Sequence, residues 1–406
     1  MSFSKETLQT LTSGAFLPQE EMLEVARKKG SLYIGIPCER SFQEHRVALL
    51  PEDVKFLTNN GHRIVVETGA GSGASYQDND YSEAGAEIVY DTQEVFKADI
   101  ILKVAPPTLE EIDYMTRKQT LISALQITVQ PKDFLKKLIQ KKVTAIAWDY
   151  LQDEEGIYSI VRSMGEIAGT TSVLIAAELL SNTNGGTGLM LGGITGVAPT
   201  EVVILGAGTV GEYAVRSALG LGASVKVFDD SVYKLRRLQN AIGQRIYTST
   251  ISQERLSEAL KNADVAIGAI RATKGIVPCI VTEEMVKNMK YGSVIVDVSI
   301  DQGGVFETSE VTTHDHPTYI KYGVIHYCVP NIPSRVARTS SGALSNIFSQ
   351  ILFAIGEEGG VEGTIRKDRA LRSGVYLYNG ILTNEHLSKK FHLPFKDLNL
   401  LIAALD

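Results

Sequence analysis

Cysteine is scarce in this chain. Its three residues among 406, Cys38, Cys279 and Cys328, are widely spaced and never form Cys-x-x-Cys. No disulfide framework or zinc site can be built from them, and so few suit a reducing compartment. Long apolar runs are missing too, none approaching the roughly 18 residues of a membrane span. The opening Met1-Ser-Phe-Ser-Lys-Glu-Thr lacks the basic-then-apolar pattern of an export leader. A cytoplasmic protein without membrane contact is expected. There is no basic surplus: 40 Lys and Arg stand against 47 Asp and Glu, a net charge of −7, which argues against nucleic acid as a partner. Low-complexity tracts and short-period repeats are absent. With 44% hydrophobic and 21% charged residues the composition is ordinary globular, which excludes disordered and fibrous classes.

What is present is a nucleotide signature. Glu201-Val-Val-Ile-Leu runs straight into Gly206-Ala-Gly208-Thr209-Val210-Gly211, and Asp229 ends a second apolar strand, Ser224 to Phe228. Gly206 suits the tight turn and Gly208 lets backbone N–H groups approach a pyrophosphate. Gly211 lets the next helix pack on the strand with its positive end toward the phosphates. A carboxylate at Asp229 would accept hydrogen bonds from ribose hydroxyls and repel a 2′-phosphate, so NAD is expected rather than NADP. A lone glycine fingerprint is weak; strand, helix, second strand and acidic end in one short unit make this one strong. Asp229 also reads as a helix N-cap, although Asp230 and Ser231 are better placed for that. Gly69-Ala-Gly-Ser-Gly-Ala74 lacks the following Lys-Ser/Thr of a P-loop and reads as a structural turn.

The length suggests more than one core, and two domains are expected. Residues 1–30 read as a helical extension. Strands are expected at Tyr33–Pro37, Arg63–Glu67, Ile100–Val104, Thr120–Ala124 and Val143–Trp148, alternating with amphipathic helices, which implies a parallel sheet covered on both faces. A second series follows at about 201–205, 224–228, 244–248, 264–268, 293–297 and 324–328, with helices near 209–221, 231–241, 252–261 and 282–289. Six strands in that rhythm suit a doubly wound domain of order 3-2-1-4-5-6. A long helix from Ser340 to Ile355 brings the chain back. The expected α/β architecture is therefore two doubly wound Rossmann-like domains separated by a cleft. The first, residues 31–164 plus 335–406, is discontinuous; the second spans 165–334; the crossings lie near 165–183 and 332–357.

At a cleft lined by strand ends, polar breaks in apolar patterns mark candidate chemistry. Lys103 interrupts Ile100 to Val104 and reads either as a substrate-holding ammonium or as a solvated strand end. Arg46 could clamp a carboxylate through its planar fork, or sit on the surface. Asp301 precedes Gln302-Gly303-Gly304 and reads as a proton carrier or a turn former. Asp297, deeper in its strand, reads as a buried structural carboxylate.

Together these segments are similar to the alanine dehydrogenase family. They are Ile34-Gly-Ile-Pro37 with Arg46-Val-Ala and Pro51, Leu102-Lys-Val, Ser163 to Gly169, Gly192-Gly193, Gly206-Ala-Gly208-Thr, Ile300-Asp301-Gln-Gly-Gly304, Thr313-His-Asp-His316-Pro and Tyr327-Cys-Val-Pro-Asn331-Ile-Pro. The resemblance covers nearly everything from Tyr33 to about Leu382. It implies reversible NAD-dependent oxidative deamination of L-alanine to pyruvate and ammonium, in a homo-oligomer that is hexameric in the family. It places Arg46 and Lys103 as the substrate-holding pair, Met164 on the substrate-side wall and Asp301 as the catalytic aspartate. Asp229 becomes the ribose ligand, Lys234 the basic residue beside the adenosine, and Asn331 with Ile332 the nicotinamide-side loop. No metal is implied.

Three departures stand out. Gln126 occupies the position of the family's catalytic histidine, and an amide can polarise a carbonyl but cannot transfer a proton. Asp301, with a pKa raised in a closed cleft, is the preferred replacement; His45 is a weaker candidate, because neighbours in an extended segment point to opposite faces. Gly165 stands where a serine is common near the cofactor phosphates. The third departure is the amino-terminal extension. The alternatives are an opine- or saccharopine-type dehydrogenase acting on another 2-oxo acid or imine, and a non-catalytic NAD-binding subunit of a transhydrogenase.

Overall fold

The computed structural model describes residues 30–40, 43–126, 130–271 and 277–403. The expected helix within residues 1–30 falls almost wholly outside them. Two sheets organise the chain. The first runs β15-β14-β6-β5-β4-β1-β2-β3. Its strands are β1 Tyr33–Ile36, β2 Arg63–Glu67, β3 Glu87–Val89, β4 Ile100–Leu102, β5 Thr120–Ser123, β6 Thr144–Ala147, β14 Val375–Tyr378 and β15 Ile381–Leu382. The second runs β12-β13-β11-β10-β7-β8-β9. It comprises β7 Glu201–Leu205, β8 Ser224–Phe228, β9 Tyr247–Ser249, β10 Val265–Gly268, β11 Val294–Asp297, β12 Thr318–Lys321 and β13 Val324–Tyr327.

The central strands are continuous apolar runs because helices cover both faces. Every residue of β10 and β11 is buried, as is every residue of β4 and β5. Counted from the glycine strand, the second sheet has the expected order 3-2-1-4-5-6.

Three details differ from the sequence reading. The strand expected at 244–248 pairs only over Tyr247–Ser249, in register with Lys226 to Phe228. Gly243, at φ 73°, caps the preceding helix, and residues 244–246 carry the chain back to the sheet. The second sheet has a seventh, antiparallel strand, β12, joined to β13 through Tyr322-Gly323 at φ 56° and 75°. The first sheet gains β3 on one edge and the antiparallel β14 and β15 on the other.

Two long helices, Ser159–Leu179 and Ala337–Glu357, link the halves and pack against each other. The first starts earlier than the expected crossing. The second returns the chain to the first sheet, where β14 pairs β6. Among the described residues no helix is long and apolar enough to cross a membrane.

Candidate active site

Carboxyl-terminal strand ends from both sheets converge. Residues following β1 hydrogen-bond residues following β13, through Arg46 to Asn331 and His45 to Ser334, and residues just before β12, through Gln43 to Asp315 and His314. Arg271, beyond β10, lies over the Tyr158 ring at 5.9 Å and interacts electrostatically with Asp149, after β6, and Asp301, after β11. The crevice between the sheets is thus lined from both sides.

On the second sheet the glycine turn has the shape a pyrophosphate needs. A Cβ on Gly206, at φ 114°, would lie 2.4 Å from the Ala269 carbonyl oxygen, and one on Gly211 would lie 1.9 Å from that of Gly206. Both positions therefore exclude a side chain. Gly208 has open space where its Cβ would be, as expected if a ligand approaches the backbone there. Thr209 begins the helix Thr209–Gly220, and Thr209 and Val210 face Gly165 of the crossing helix at ordinary contact distance. Asp229 is buried; its Oδ2 accepts from Ala207 N at 2.8 Å and its Oδ1 from Ser231 N at 2.8 Å. Ser231 is the helix cap, and Lys234 lies exposed on the first turn of that helix.

Arg46 is buried and engaged through its Nε and Nη2 edge. Its Nε donates to Glu44 Oε1 at 2.7 Å and its Nη2 to Glu44 Oε2 at 2.6 Å, a two-point ion pair. Nη2 also donates to Asn331 Oδ1 at 2.8 Å, and Asn331 Nδ2 returns a bond to Glu44 at 2.8 Å. Burial alone would raise the Glu44 carboxyl, but the guanidinium overrides it and holds the group below the usual carboxylate range. Among the described residues Nη1 meets only the Met164 sulfur, at 3.2 Å. That weak acceptor leaves one donor edge for an incoming carboxylate. The surface alternative for Arg46 is thereby excluded. Asn331 adopts a left-handed φ of 61°, a conformation asparagine tolerates. Its amide is spent on the ion pair, and Ile332 is buried in the apolar core.

Lys103 is not a solvated strand end. It is fully buried, with Nζ 3.0 Å from Glu111 Oε1 and 3.1 Å from Glu39 Oε2. Burial opposes its charge, and the two carboxylates more than compensate, raising its pKa. Glu44 acts on Glu39 and so ties the Arg46 pair to the Lys103 site; among the described residues no hydrogen bond or ion pair joins Arg46, Lys103 or Asp301 to one another.

Asp301 lies in the short helical turn Val298–Gln302 after β11. Its side chain is solvent-accessible, but the protein packed around it desolvates it and pushes its pKa up to about 6, against the opposing pull of Arg271 and with help from Asp297. Asp297 is buried and accepts from Ser299 N, Val305 N and Ser309 Oγ, as its structural reading requires. Gln126 is held at a left-handed φ of 46°, with its backbone N–H on Asp149 Oδ2 at 3.3 Å and that of Leu125 on Oδ1 at 2.9 Å. Residues 127–129 beyond it fall outside the described set.

His45 is exposed while Arg46 points inward, and its ring faces that of His314 at 6.2 Å. Among the described residues no cluster of three or more His, Cys, Asp or Glu side chains is arranged to hold a metal. The sequence reading missed Glu39, Glu44, Glu111, Asp149 and Arg271. For Lys103 there was a signal: a lysine inside an apolar strand needs buried acids within reach.

The chain is similar to known proteins over most of its length. Models of the N-terminal and C-terminal domains of alanine dehydrogenase/PNT match residues 35–168 and 172–385. The chain is 39% identical over 366 residues to alanine dehydrogenase 2 of Staphylococcus aureus strain USA300, covering 90% of this chain and 98% of that protein. It is 40% identical over 367 residues to an alanine dehydrogenase of Mycolicibacterium smegmatis, with the same coverage. A solved L-alanine dehydrogenase superposes with a TM-score of 0.83 at 35% identity, covering 88% of this chain and 99% of that one. A transhydrogenase from Sinorhizobium meliloti shares the fold, with a TM-score of 0.74 at 23% identity over 87% of this chain and 99% of its own. With both domain models matched and relatives 39–40% identical over nine-tenths of its length, this chain belongs to the alanine dehydrogenase/PNT family.

Proposed function

We infer that this chain is an NAD-dependent L-alanine dehydrogenase, interconverting alanine with pyruvate and ammonium. One observation carries the reading: a buried Arg46, with its Nη1 edge on nothing better than the Met164 sulfur, is hydrogen-bonded to Asn331 beyond β13, while Asp301, of raised pKa, follows β11 of the same second sheet. The glycine turn, the helix start behind it and the buried Asp229 fit NAD, which supplies an acceptor for the hydride of the amino acid Cα. In this reading residues 165–334 form the NAD-binding half, residues 31–164 with 335–406 the substrate half, and the protein is a homo-oligomer, hexameric by resemblance.

Arg46 binds the substrate carboxylate through Nη1, and Met164 walls that side. Lys103 has three ammonium hydrogens, two directed at its carboxylates, and turns the third to a substrate oxygen. Asp301 accepts the proton of the water that adds to the imine carbon. Gln126 donates an amide hydrogen bond to the developing carbonyl oxygen but moves no proton. Holding both reactants in one crevice converts an encounter into an intramolecular step.

Lys103→Ala should lose alanine-dependent NADH formation while a fluorescence titration still shows NADH binding. Unchanged turnover in that variant would remove the assignment. Gln126 favours a second reading, a dehydrogenase for a bulkier 2-oxo acid or imine whose chemistry needs less proton traffic. A panel of 2-oxo acids with ammonium, lysine or ornithine separates the two. If Gln126→His gains about tenfold or more with pyruvate and ammonium, the chain is an alanine enzyme lacking one acid–base group. A loss there, with turnover of another pair, supports the second reading.

A further inference from the structure

The Lys103 site holds one cation and two carboxylates, all almost completely shielded: the side chains of Lys103, Glu39 and Glu111 are 0%, 6% and 4% exposed. A 2-oxo acid whose carboxylate sits on Arg46 and whose oxygen meets Lys103 brings a further negative charge beside a buried cluster that is already one negative charge in excess. Separating that charge from water is costly, and the usual response of a buried acid is to neutralise. We propose that Glu39 is a positioning residue that takes up one proton from solvent when a 2-oxo acid settles against Lys103, releasing an ammonium hydrogen to the substrate. This rests on the reading of Lys103 as a substrate-holding residue.

The two acids are not equivalent, and the geometry selects between them. Glu111 has both oxygens served: Oε1 receives Lys103 Nζ at 3.0 Å and Oε2 receives the Thr108 N–H at 2.7 Å in a capping box. Glu39 Oε1 accepts the Val104 N–H at 2.5 Å, but Oε2 has, among the described residues, no partner besides the Lys103 ammonium 3.1 Å away. Oε2 is therefore the atom with room for a proton. Its ionisation is influenced by Lys103 and by Glu44 on the turn that carries Arg46, while Glu111 faces the same ammonium. Cys38, Arg40 and Glu67 lie along the neighbouring strand ends. Burial outweighs Lys103 and, with Glu44, pushes Glu39 up to about 7. Near neutral pH the group is poised, and an added anion tips it to the protonated form. The proton is taken from solvent and ends on Oε2. No other bond changes.

The test is calorimetric titration of pyruvate into the NADH-saturated protein, without ammonium, at pH 8 in two buffers of different ionisation enthalpy. The wild type should take up about 0.9 proton per pyruvate, because about nine-tenths of Glu39 is ionised one unit above its pKa. Its affinity should fall about tenfold per pH unit above 7. Glu39→Gln keeps an acceptor for Val104 N–H. It should retain NADH binding, show uptake near zero, and bind pyruvate with little pH dependence. Equal uptake in Glu39→Gln, or pyruvate binding to the wild type without uptake, overturns the proposal. Pyruvate binding to Lys103→Ala as tight as to the wild type overturns the underlying reading of Lys103 instead, so the two failures are distinguishable.

Discussion

Asp301→Asn is expected to lower alanine-dependent NADH formation by about 10²–10⁴-fold, the usual contribution of general acid–base catalysis, while NAD affinity is retained. The expectation is strong because Gln126 leaves the crevice without the histidine that would share the burden. In the wild type, oxidative deamination needs the Asp301 carboxylate ionised to accept the proton of water. Burial has raised its pKa to about 6. The rate should therefore be full above that value and fall as pH drops through it, and the Asn variant should lack that acid limb. A stopped-flow pH profile of both proteins checks the assignment. An Asp301→Asn enzyme within a few-fold of wild type, or with the same acid limb, would place the base elsewhere.

Arg46→Met should damage stability as much as catalysis. It leaves Glu44, whose side chain is 1% exposed, without its cation. Breaking one partner of a buried pair typically costs about 3–5 kcal/mol, much of it from the uncompensated charge that remains. Denaturant unfolding at pH 7 should register that loss, together with a raised KM for alanine. Because Arg46 holds the folded-state Glu44 carboxyl below its ordinary value, the pair's contribution is fully present above about pH 4.3 and disappears as pH falls through the depressed folded value. The double variant Arg46→Met with Glu44→Gln should recover most of the stability but none of the alanine affinity. If the single variant is as stable as wild type, the ion pair is not the brace described here.

Local sequence patterns carried most of the fold. The Gly206 to Gly211 turn and Asp229 are readable because each constraint acts within a few residues: a Cβ at Gly211 would meet Gly206 itself. The antiparallel hairpins were missed although one announces itself, since Asn379-Gly380, at φ 50° and 79°, sits between the apolar strands β14 and β15. Asn-Gly between such runs is the strongest short hairpin signal; the parallel rhythm upstream masked it. The counter-charges were not readable. Glu39 lies 64 residues from Lys103 in the chain, and Glu111 looks like the ordinary third residue of the Thr108 capping box that it also is. Only folding brings them to one ammonium. Arg271 likewise follows β10 without any local mark of its role, and its neighbours Asp149 and Tyr158 belong to the other half of the chain.

The Asn331 amide touches both members of the Glu44–Arg46 pair, yet it is borne by the opposite sheet. Pulling the lobes apart strips one acceptor from the guanidinium and one donor from the carboxylate at the same moment. In the proposed function the grip on a carboxylate is thereby tied to the neighbouring sheet: the Arg46 fork keeps its full set of partners only while Asn331 lies against it.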